Sequence, residues 1–175
     1  MRIENLGRAI ASIAVALLLM AAGASAAETP TAGGLSDVER LAIERECEAL
    51  SNSYAHYLDF VDADGLAGLF AEDGLWFPSG RRLEGPKAIH DYWAAQAGRP
   101  YVTRHVMSNT RIQVTDRDHA RGSAYLTMYR FDPSHPETIK SLEPVLLGVM
   151  TDEYVRTAQG WRFKQRKLEA IRPAR

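Results

Sequence analysis

The hydrophobic period of this chain changes once, near Tyr101, and that change restricts the fold more than any other feature. Before it, apolar residues recur at three- and four-residue steps: Cys47, Leu50, Tyr54, Tyr57, Leu58 and Val61 form one stripe, the spacing of an amphipathic helix. After it come four runs rich in β-branched and aromatic residues: Thr103–Thr115, Ala120–Phe131, Glu143–Thr157 and Gly160–Ile171. Period-two runs bounded by turn residues read as strands. Helices followed by a series of antiparallel strands is the α+β pattern. A curved antiparallel or mixed sheet wrapped around the long N-terminal helix, with two further short helices, uses every element.

Local signals place the boundaries. Ser36-Asp37-Val38-Glu39 is a capping box, in which the Ser hydroxyl accepts from the amide three residues on and the Glu carboxylate reaches back. The helix it opens is predicted to end near Asp62–Gly65. A second short helix is expected over Gly65–Ala71, a short strand at Leu75–Phe77, and a turn at Pro78-Ser79-Gly80. Gly85-Pro86 opens a third helix, with proline in the first turn where its missing N–H costs nothing.

The first 26 residues read as a leader rather than as fold. Arg2 and Arg8 precede an apolar run, Ala9–Ala22, and Ala24-Ser25-Ala26 follows with small side chains. That order is a cleavable export signal, and the run falls short of the ~20 residues that span a bilayer. Cleavage near Ala26, a periplasmic or secreted location and no stable membrane insertion are therefore expected. Residues 27–34 form a Thr-, Pro- and Gly-rich link, and residues 35–175 form one domain. The formal net charge is −1, and no basic stripe argues for nucleic acid. Cys47 is the single cysteine, so no internal disulfide can form; its place in the helical stripe predicts a buried thiol. The five histidines show no metal-ligand spacing, so neither metal nor cofactor is expected.

Several short motifs, in order, carry a resemblance. They are Tyr54-Ala-His-Tyr-Leu-Asp59 with Asp62 and Asp64-Gly-Leu-Ala-Gly-Leu-Phe70-Ala-Glu-Asp73-Gly; Leu83-Glu-Gly85 leading into Ala88-Ile89; Arg104-His105-Val-Met-Ser-Asn109; and Asp152-Glu-Tyr154-Val-Arg156 with Gly160-Trp161-Arg-Phe163 and Arg166. Together they resemble the SnoaL-like family of the nuclear transport factor 2-like superfamily, from about Leu35 to Ile171. The resemblance implies a cone-shaped fold with an apolar pocket at its open end. It also implies kinship with polyketide cyclases, scytalone dehydratase, a hexachlorocyclohexane dehydrochlorinase and, more distantly, ketosteroid isomerases. Fold alone does not assign chemistry.

By this resemblance Asp59 matches the catalytic aspartate of the dehydratase and dehydrochlorinase, and His105 their catalytic histidine. Such a carboxylate fixes the tautomer of an imidazole that removes a proton. Tyr54 matches a polar pocket group and Asp152 the isomerase's protonated acid, but Arg130 stands where the dehydratase has a second pocket histidine and Pro78 where the isomerase has its general base, so the isomerase's proton shuttling is not implied. The alternation His105-x-Met107-x-Asn109 would set three side chains on one strand face. Met107, Asn109, Tyr125 and Trp76 complete the expected ligand wall. Each has a plainer alternative. Asp59 lies off the apolar stripe of its helix and would then face solvent, His105 would be a hydrogen-bonded structural residue, Trp76 would pack the core, and Asp152 would make surface pairs. Two functions follow: a cofactor-independent lyase or isomerase acting on a small apolar organic ligand, or a non-catalytic periplasmic binding or assembly module. Bulky residues on both faces of the later strands lead to the expectation of a homodimer. An Asp59–His105 hydrogen bond inside a closed pocket would favour the enzyme.

Overall fold

The computed structural model describes residues 34–137 and 143–171; the segment expected to be an export signal lies outside them. Helix α1 spans Asp37–Phe60, with its capping box formed as the sequence specifies: Ser36 Oγ accepts from the Glu39 amide and Glu39 Oε2 from the Ser36 amide. It ends at Val61 in the left-handed region (φ 56°). There the Val61 amide donates to Leu58 and the Asp62 amide to Tyr57, which satisfies carbonyls the helix end would leave open. Asp62 at once caps α2 (Ala63–Ala67) by accepting from the Gly65 amide at 2.8 Å. The corner is tight. A Cβ on Gly65 would stand 2.6 Å from the Tyr57 ring, so glycine is required where the chain leaves α1.

The remaining elements are β1 (Phe70–Phe77), a single 3-10 turn at Pro78–Gly80, β2 (Leu83–Glu84), α3 (Gly85–Ala94), β3 (Val102–Val114), β4 (His119–Phe131), β5 (Leu146–Thr157) and β6 (Gly160–Ala170). They form one six-stranded sheet in the order β2-β1-β6-β5-β4-β3. All pairs are antiparallel except β1 with β6. The expected α+β cone is the observed architecture, with the sheet curved around α1.

Two local expectations are corrected. The second helix stops at Ala67, and Phe70 and Ala71 belong to β1 rather than to the helix. The cause is tertiary: the Phe163 amide donates to the Leu69 carbonyl at 2.8 Å, and Phe70 pairs with Phe163, which draws this segment into the sheet. The two-residue strand β2 adds to the elements expected from sequence. It exists because Leu75 and Trp76 find partners in Glu84 and Leu83.

The core lies between α1 and the concave side of the sheet. Cys47, Tyr54 and Leu58 of α1 meet Trp76, Met150, Tyr154 and Phe163 there, with Leu66 and Ile89 closing the α2–α3 end. Cys47 is fully buried, and burial pushes its thiol up to about 12. A thiol so disfavoured as thiolate is a packing group.

Candidate active site

Asp59 is in the last turn of α1, one position past the buried Leu58. That offset turns its carboxylate toward β3. Its side chain is 8% exposed and that of His105 is 7% exposed, so the solvated alternative for Asp59 does not hold. His105 Nδ1 stands 2.6 Å from Asp59 Oδ1. The His105 amide donates to Oδ2 at 3.0 Å, and Thr103 Oγ1 donates to Oδ1 at 3.0 Å. Burial pushes this carboxyl up, but the His105 ring and amide, the imidazole charge and the Thr103 hydroxyl together outweigh it and hold it below its ordinary 3.8. An ionised Asp59 can only accept, so Nδ1 carries the proton of that bond. The opposite nitrogen, Nε2, makes no hydrogen bond among the described residues. Thr103 is itself fixed: Arg99 donates to its Oγ1 at 2.9 Å and to the Leu58 carbonyl at 3.2 Å.

The ring of His105 lines a cavity of about 220 Å³. Tyr54, Trp76, Tyr92, Trp93 and Tyr101 supply aromatic walls, and Leu126, Met128 and Leu168 aliphatic ones. Trp76 Nε1 donates to the Tyr54 hydroxyl at 3.1 Å, and burial pushes that phenol up to about 12. Tyr54 is therefore neutral, its oxygen accepts from Trp76, and its O–H finds no acceptor among the described residues. A wider, open depression of about 630 Å³ lies elsewhere, around Glu72, Asp73, His119, Arg162 and Lys164. It holds none of the candidate residues.

Asp59, His105, Tyr54 and Trp76 are thus brought together. Met107, Asn109, Tyr125 and Asp152 are not. The alternation that would align Asn109 with His105 fails at a bulge between Ser108 and Arg111, where Asn109 takes φ 52° and becomes exposed. Met107 packs against the core instead. Tyr125 is 54% exposed on the convex face. Asp152 does not make surface pairs. It is buried in mid-strand with its carboxylate 3.3 Å from Arg166 Nε, its direct partner across β5–β6, and it accepts from the Tyr154 hydroxyl at 3.0 Å. Arg166 is wedged between the rings of Tyr54 (4.0 Å) and Phe163 (4.4 Å) and donates to Ser51 Oγ at 3.0 Å. Among the described residues no group of three or more His, Cys, Asp or Glu side chains stands close enough to hold a metal.

The family profile of the SnoaL-like domain matches residues 39–167. The chain belongs to the SnoaL-like family. Solved structures agree on the fold. An Asp→Asn variant of a Mycobacterium tuberculosis protein of unknown function is 25% identical, with a TM-score of 0.64 over 77% of each chain. A Novosphingobium aromaticivorans protein provisionally named scytalone dehydratase is 22% identical, with a TM-score of 0.65 over 77% of this chain and 88% of its own. Another from the same organism, provisionally named an aromatic ring hydroxylase, is 21% identical, with a TM-score of 0.63 over 76% of this chain and 92% of its own. A search of curated sequences returned no significant match. In this SnoaL-like protein, Arg130 and Pro78 both line the cavity. Thr103, Arg99 and Arg166 carry interactions that sequence reasoning missed. A period-two reading of Gly148, Met150, Asp152 and Tyr154 would have turned Asp152 inward, but nothing in sequence pairs it with Arg166.

Proposed function

We propose that this SnoaL-like protein is a cofactor-independent lyase or isomerase that removes a carbon-bound proton from a small, largely apolar substrate. His105 is the base and Asp59 its orienter. One observation carries the reading: the 2.6 Å bond between Asp59 and His105 Nδ1 in a cavity wall, which leaves Nε2 as the unpartnered nitrogen. In the step, Nε2 takes the proton, and the C–H electron pair moves either onto a neighbouring carbonyl oxygen or into a new double bond as a leaving group departs. Asp59 stabilises the imidazolium that forms. The Tyr54 O–H is the available donor to a developing oxyanion. The neighbour provisionally named scytalone dehydratase has a name that fits a lyase.

Ligands retained from a cell extract, identified by mass spectrometry and returned to the protein in D₂O, test this. The wild type should catalyse deuterium incorporation or elimination, and His105→Ala should abolish it while binding persists, since a base acts mainly in the transition state. The double variant with Asp59→Asn should be no slower than His105→Ala alone. Binding without exchange by the wild type would return the protein to the class of binding modules, and strictly multiplicative losses would show that the two residues act independently and remove the dyad mechanism. Export and homodimerisation belong to the same proposal. Intact mass of protein taken from a bacterial periplasm should place the N-terminus near Ala27, and a soluble product retaining Met1 would refute export.

A further inference from the structure

The cavity wall has an unusual charge inventory. Its lining residues include two guanidinium groups, Arg99 and Arg130, and no Asp or Glu. Both guanidiniums lie over one ring: their central carbons are 5.3 and 5.1 Å from the Tyr101 centroid. Neither forms an ion pair with a carboxylate among the described residues. The nearest acid to the site, Asp59, is reached from Arg99 only through the Thr103 hydroxyl and is already committed to three donors. Arg99 turns one nitrogen, Nη2, inward to Leu58 and Thr103, and its Nε is buried without a hydrogen-bond partner among the described residues. The Arg130 guanidinium donates no hydrogen bond among the described residues. A cation–π contact spends no N–H group, and the in-plane N–H edge of a guanidinium is the edge that grips a carboxylate with two parallel bonds.

Register fixes where this edge lies. Leu126, Met128 and Arg130 are alternate residues of β4, and all three line the cavity. His105 pairs with Met128 and Thr103 with Arg130. Arg130 is therefore one rung, about 7 Å along the strand, from the level of His105. The volume sets the rest. A dry cavity of about 150 Å³ accepts benzene, so 220 Å³ takes one ring and a small substituent. Five aromatic side chains in the wall favour a flat occupant.

We propose that the substrate is a single-ring carboxylate with a largely flat ring and one sp3 C–H carbon, held with its carboxylate on Arg130 and that carbon at the His105 level, and that Arg130 is the residue selecting an anionic ligand. This deepens the proton-abstraction reading and rests on it for the orientation of the ring. The anion preference itself is an equilibrium property that does not need the dyad.

The test uses benzoate and its neutral isostere benzamide, with binding followed by the fluorescence of Trp76 and Trp93 or by saturation-transfer NMR. Benzoate should bind at least about tenfold more tightly than benzamide. Arg130→Gln should erase that ratio while leaving benzamide unchanged, and Arg130→Lys should recover part of it. Arg130 is exposed at the cavity mouth, so these variants should fold. Equal binding of the two probes, equal weakening of both by Arg130→Gln, or no binding of either at millimolar concentration would overturn the proposal. Anion preference and proton exchange, both measured on the wild type, separate the two readings. Retained benzoate preference with no proton exchange by the wild type sinks only the catalytic reading. Exchange on captured ligands without anion preference sinks only this one.

Discussion

Replacing Arg166 by Met should cost far more than removing a surface charge, and the structure says why. The Arg166 and Asp152 side chains are 0% and 1% exposed and 3.3 Å apart. Arg166→Met leaves the Asp152 carboxylate buried with only the Tyr154 hydroxyl to satisfy it. Breaking one side of such a pair costs about 3–5 kcal/mol, and the desolvated stacking on Tyr54 and Phe163 is lost with it. For a domain of this size that is a fall in Tm on the order of 10 °C. The pH dependence follows from Asp152. Burial pushes its carboxyl above the ordinary 3.8, with the Arg166 charge and the Tyr154 hydroxyl opposing. The native state thus holds this proton more tightly than the unfolded chain does, and stability falls as pH rises from the unfolded value through the folded one. Removing Arg166 raises the folded value further, so the deficit against wild type should be smallest near about pH 4 and grow toward about pH 8. Urea unfolding followed by the fluorescence of the buried Trp76 and Trp161 measures it. Arg166→Met with Asp152→Leu removes both charges and should recover to within about 2 kcal/mol of wild type. A single variant within about 1 kcal/mol of wild type at about pH 8, or a double variant that loses the sum of the two singles, would refute the reasoning.

Asp59→Asn should redistribute the His105 tautomers, seen as a change in ring ¹⁵N shifts from the pattern of a protonated Nδ1 and bare Nε2; identical spectra would mean that Asp59 does not orient the ring. Because Asp59 is held below 3.8, its contribution to stability is full above that value and is lost as pH falls through the lower folded value. The same variant should therefore unfold with a shallower dependence on acid, measured by stability curves below about pH 4. Gly74→Ala should destabilise by about 1–3 kcal/mol, because the new Cβ would stand 2.8 Å from the Ala71 and Phe163 carbonyl oxygens, and backbone cannot swing aside; urea unfolding of a variant as stable as wild type would contradict this. On the convex face, Val106, Tyr125 and Leu147 are 47%, 54% and 46% exposed on adjacent strands β3, β4 and β5. Leu147→Glu should shift sedimentation from dimer to monomer, and a wild type that is monomeric at micromolar concentration would remove the basis for a dimer.

Periodicity, capping and turn chemistry are local, so the chain declares them by itself. Ser36 and Glu39 start α1, the Cys47–Leu58 stripe turns one side of it inward, Gly85-Pro86 starts α3, and the four long strands follow from their alternation. Asp59 and His105 were legible as a pair through the family's motif order, although Asp59 lies off the apolar stripe. Its burial depends on β3 crossing the last turn of α1, 46 residues away in sequence. The bulge at Asn109 was not legible, because a bulge is set by the register of two strands, and it is what removes Asn109 from the cavity. Phe70 and Ala71 read as helix until Phe163 pairs with them. Thr103 and Arg99 became part of the site only when β3 set the Thr103 hydroxyl between a carboxylate from α1 and a guanidinium from the α3–β3 connection. The Asp152–Arg166 pair has the same origin. Each residue alone looks like a surface charge, and only the closing of β5 on β6 beneath the Tyr54 ring makes the two a buried ion pair whose halves need each other.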